Sequence, residues 1–126
     1  MRLTTIFLML ALALAPGALF AHGEAPQAAH GGMMQEAHEM WLELVVRDKD
    51  VALYVLDEAK KPVPSAQVSG TVTVLAGGKA HKVALSPAEG NSLHGELPVG
   101  ATGRVAATVS LKIDGKAMSA RFTPSA

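Results

Sequence analysis

Six side chains able to hold a soft or borderline metal ion fall within residues 22 to 40 of this chain: His22, His30, Met33, Met34, His38 and Met40. Thioether sulfur favours cuprous copper or silver, whereas imidazole accepts copper in either oxidation state and also zinc. The chain has no cysteine, so neither a thiolate site nor a disulfide enters the chemistry. Such a donor set suits copper outside the cytoplasm, where thiols tend to be consumed while His and Met remain usable. Copper (Cu+ or Cu2+) is the expected ligand, with silver or zinc as alternatives.

Two arrangements of these donors are open. A turn or two of helix over residues 33–41 would set Met34 and His38 four apart and bring Met33, Met34, His38 and Trp41 onto one stripe. Gly31 and Gly32 would leave His30 free to fold back, and the site would prefer cuprous ion. In the other arrangement His22 chelates through its amine and Nδ1, completed by His30 or His38, and the site prefers cupric ion. A plainer reading makes the cluster a solvated linker, with Met33, Met34 and Trp41 covering one open end of a core.

The His22 chelate requires that His22 be the first residue of the mature chain. Arg2 followed by the apolar run Leu3 to Leu14 and the helix breakers Pro16 and Gly17 reads as an export signal, cut after Ala21. The run is too short to span a bilayer, which takes about 20 apolar residues, so the processed protein is expected to be periplasmic with no transmembrane span. Removing residues 1–21 of 126 leaves 105, enough for one small domain with a tail. Losing Arg2 turns a balance of 11 basic and 11 acidic side chains into 10 against 11, a net charge of −1. No polyanion-binding surface is implied, and nucleic acid is not an expected partner.

Residues 22–40 contain no Val, Ile, Leu or aromatic residue, and such a stretch buries too little apolar surface to offset its ordering entropy. It is expected to be a flexible His/Met-rich tail. From Trp41 to residue 126 the pattern becomes period-two alternation broken by turn residues, the mark of antiparallel strands with one buried face. Leu42, Leu44 and Val46 precede a turn at residues 48–50, and Val51, Leu53 and Val55 follow it. Pro62 and Pro64 stiffen a connection in which Val63 can plug one end of the core. Further strands carry Val68 to Val74, His81 to Leu85, Leu93 to Leu97, Val105 to Ile113 and Met118 to Phe122, with turns at Gly77-Gly78 and Asp114-Gly115. Seven short strands without a helix signal predict an all-β, immunoglobulin-like or fibronectin-like sandwich.

That domain shows no catalytic pattern. It has no nucleophile turn and no Gly-rich loop between strand and helix, and its acidic residues are scattered. His81 and His94 fall on adjacent strands, but His81 shares parity with Val83 and Leu85 while His94 shares parity with Ser92 and Glu96. The two imidazoles are therefore expected on opposite faces.

The segments LELVVRDKDVALYVLDEAKKPVPSAQVSGTVTV at 42–74, LSPAEGNSLHGELPVG at 85–100 and SARFTP at 119–124, with AHGE at 21–24, resemble the small β-sandwich of periplasmic adaptor subunits of heavy-metal efflux systems of the resistance-nodulation-division type. The segment PVPSAQVSGTV is also similar to a turn of many transthyretin-like and carboxypeptidase-regulatory sandwiches. No coiled-coil hairpin, lipoyl-like domain or barrel domain accompanies the sandwich here. The resemblance thus implies a metal-binding accessory, with an efflux adaptor or membrane complex as partner, rather than a bridging subunit. The alternative from another class is a non-catalytic domain that docks by strand addition, its tail binding no metal. An oxidative copper enzyme built on His22 would need a second rigidly held His, which a flexible tail does not supply.

Overall fold

Alternation and turn chemistry build seven antiparallel strands in the computed structural model, which describes residues 25–124. The strands are β1 (Met33–Ala37), β2 (Met40–Leu56), β3 (Val68–Ala76), β4 (Lys79–Pro87), β5 (Ser92–Thr102), β6 (Ala107–Ile113) and β7 (Lys116–Phe122). A single 3-10 turn, Ser65–Gln67, is the only helical element among the described residues. The export signal, its cut and His22 lie outside them. No helix among the described residues is long and apolar enough to cross a membrane.

The strand order is β1-β2-β5-β4-β3-β6-β7, and β1 also lies against β7, so the sheet is nearly closed. β4 makes the corner. Its residues Lys79 to Leu85 pair with β3, whereas Ser86 and Pro87 pair with β5, so one strand serves both halves of the sandwich. The inward residues of both halves form one core, with Leu42, Leu44, Leu53, Val72, Leu93, Val109 and Phe122 almost wholly buried. Val63 joins it, its N–H bonded to the Val55 carbonyl, as a plug between the two prolines should. Gly70 sits where β3 and β6 approach so closely that a Cβ would strike the Ser110 carbonyl and the Leu111 side chain. The all-β sandwich expected from the alternation is the observed class.

The N-terminal part of the fold differs from expectation. Residues 33–37 are strand β1, laddered to β2 from Met33 opposite Leu44 to Ala37 opposite Met40, so the flexible tail does not extend to residue 40. This also removes the turn or two of helix over residues 33–41 that one of the two donor arrangements would have used. Burial of Met33 and Ala37 in the core and the backbone bonds to β2 outweigh the weak strand propensity of these residues.

The two strands expected on either side of residues 48–50 form the single element β2, but the chain does turn there. His30 contacts both Glu43 and Tyr54, which eleven residues of straight strand would hold about 36 Å apart. β2 must therefore double back on itself. The reversal coincides with Asp48 at φ 56° and with the register break between Asp48 and Asp50. Core positions change phase across it, from 42, 44 and 46 to 51, 53 and 55, which leaves Glu43 and Tyr54 together on the outer face.

Candidate functional site

Glu43 is the one acidic residue in the apolar run Trp41 to Val46, and its side chain is only 5% exposed. A buried carboxylate needs donors, and the segment just before β1 supplies three. The backbone N–H of His30 and of Gly32 donate to Oε2, each at 2.9 Å, and His30 Nδ1 lies 2.9 Å from Oε1. Gly32 is required for this approach, since a Cβ there would meet the Leu44 carbonyl and the Val45 side chain. Burial pushes the Glu43 carboxyl pKa up, but the hydrogen bonds from the His30 ring, the Gly32 N–H and the His30 N–H, with the charge of His30 when protonated, outweigh it. The net result is a pKa below the ordinary glutamate value.

The same contacts fix the imidazole. An ionised carboxylate only accepts, so Nδ1 carries the hydrogen and donates, and in the neutral ring Nε2 keeps its lone pair. The ring stacks on Tyr54 with centroids 3.6 Å apart and planes 5° from parallel. Arg47 donates from Nη2 to the His30 carbonyl at 3.0 Å, closing the clasp. With 43% of its side chain exposed, His30 is held but reachable. A histidine whose Nδ1–H is bonded to a carboxylate is the arrangement that orients many metal-ligating imidazoles. Met34 lies opposite Glu43 in the β1/β2 ladder, and directly opposed residues share a face, so its thioether belongs to this same outer surface.

The other expected donors are elsewhere. Met33 is 6% exposed and belongs to the core. His38 occupies the turn between β1 and β2, and Met40 packs half-buried against the edge of the core. Both line an open groove of about 430 Å³ at that end of the fold, together with Met118 of β7. Glu39, Asp57, Glu58 and Asp114 also line it, against the single base Lys116. His38 and Glu39 both have left-handed backbones, φ 52° and 70°, a conformation that costs non-glycine residues of order 1–3 kcal/mol each.

His81 and His94 form no joint site. His81 pairs with Val74 of β3 and approaches the Ala76 carbonyl at 3.3 Å, whereas His94 lies opposite Ser86 on the exposed face, 3.5 Å from Asp50. Their opposite orientation agrees with parity. Among the described residues no three His, Asp or Glu side chains converge closely enough to hold a metal. Glu43, Arg47, Tyr54 and Met118 are the contributors that sequence reasoning missed. Only Glu43 carried a signal, as a lone charge inside an apolar run.

No protein-family model, curated protein or solved structure matches this chain.

Proposed function

We propose that this is an exported periplasmic protein that binds copper or silver and buffers the ion or hands it to an efflux or assembly partner, without catalysing a reaction. The observation that carries the reading is the His30–Glu43 pair. It gives one imidazole a defined tautomer and a fixed orientation, which an idle surface histidine does not need, and Met34 stands opposite Glu43 on the same face of the sheet. His22, eight residues upstream, lies within about 27 Å of extended chain and can fold back to add its imidazole and, once processed, its amine. A site with few ligands from the folded part and the remainder from the leader suits transfer: incoming donors replace the leader's ligands one at a time, and the ion is never bare.

The test is a competition titration of the exported chain with a chromogenic copper chelator. His30→Ala should weaken binding at least tenfold and Met34→Leu should weaken the cuprous form more than the cupric form. Binding equal to wild type in both variants would refute the reading.

A further inference from the structure

The acidic groove at the β1/β2 and β6/β7 turns contains a second set of soft donors, from parts of the chain far apart in sequence. Met40 begins β2, Met118 lies in β7, and His38 stands in the turn before β2, yet all three line one opening because the first and last strands of the order meet there. We infer that this groove is a separate site for a monovalent soft cation, Ag+ or Cu+, held by the imidazole of His38 and the thioethers of Met40 and Met118.

Three observations support it. Both methionines are half-buried with their side chains packed against the core, so their sulfurs are positioned by the fold rather than by a mobile tail. Four carboxylates against one lysine around the opening favour a cation over an anion. The turn that presents His38 holds two successive non-glycine residues in the left-handed region, while the facing turn uses the ordinary Asp114-Gly115 pair for the same purpose. That turn sets both the His38 and Glu39 side chains in the lining of the groove. Two thioethers and one imidazole form a low-coordinate, uncharged set that suits Ag+ or Cu+ better than Zn2+ or Cu2+. The site shares no donor with the His30 face, so either can fail without the other.

Silver(I) alone is the probe, because it needs no reductant. In the exported chain labelled at the methionine methyls, titration should shift the Met40 and Met118 signals together while that of Met33, in the core, stays in place. By native mass spectrometry the Met40→Leu/Met118→Leu variant should bind one Ag+ fewer than wild type, whereas His30→Ala retains the groove ion. Leucine matches methionine in volume and keeps the fold. His38→Ala, on an exposed turn, should weaken that ion at least tenfold. Unmoved Met40 and Met118 methyls at saturating silver, or unchanged stoichiometry in the double leucine variant, would overturn the inference, as would unchanged silver affinity in His38→Ala.

Discussion

Glu43 organises the N-terminal segment because, among the described residues, its buried carboxylate takes its hydrogen bonds from His30 and Gly32. Replacing it by Gln keeps the shape but removes acceptor capacity, so at neutral pH Glu43→Gln should lose about 1–3 kcal/mol in chemical denaturation. The pH dependence has a definite sign. The folded protein holds this carboxyl below its unfolded value, so the carboxylate stabilises the fold above the unfolded value, and the contribution is lost as the pH falls through the folded one. Wild type and Glu43→Gln should therefore differ at neutral pH and converge once acid protonates the carboxylate. A gap that persists in strong acid would mean that the difference does not come from the ionised carboxylate.

At the scale of elements, the strands with apolar alternation were legible and β1, which lacks it, was not. Val72 and Val74, Leu93, and Val109 with Leu111 announce their inward faces, and Gly77-Gly78 and Asp114-Gly115 announce their positive-φ turns. β1 was hidden because Met-Met-Gln-Glu-Ala has neither alternation nor β-branched residues. It is a strand because β2 offers it a ladder and the core accepts Met33 and Ala37. The doubling back of β2 at Asp48 was legible as a turn, whereas the pairing of residues 47–48 with β5 that joins its halves into one element was not. The donor types of the candidate sites could be read from sequence, but their grouping could not. His30 reaches Tyr54 only because β2 reverses, and Met40 meets Met118 only because the sheet nearly closes. The tight β3/β6 contact gives a direct check on that architecture. Gly70→Ala should cost about 1–3 kcal/mol or more, since the obstacle to its Cβ includes the backbone of β6, which has little room to yield. A neutral outcome in thermal unfolding would mean that the two strands are not so closely paired.

The described residues form a nearly closed β-sandwich, and the two proposed metal sites fall in separate places on it, one along the outer face of β1 and β2 and one at the end where first and last strands meet. In the proposed role its folded part supplies a fixed imidazole and a thioether, and His22 supplies an exchangeable ligand. Native mass spectrometry of the protein recovered from the periplasm after growth with copper tests this most directly, because it reads the first residue and the bound ion in one spectrum. The account predicts a chain that begins at His22 and carries copper, with at least one equivalent lost in His30→Ala. A chain with its export signal uncut, or a wild-type protein that carries no copper, would contradict it.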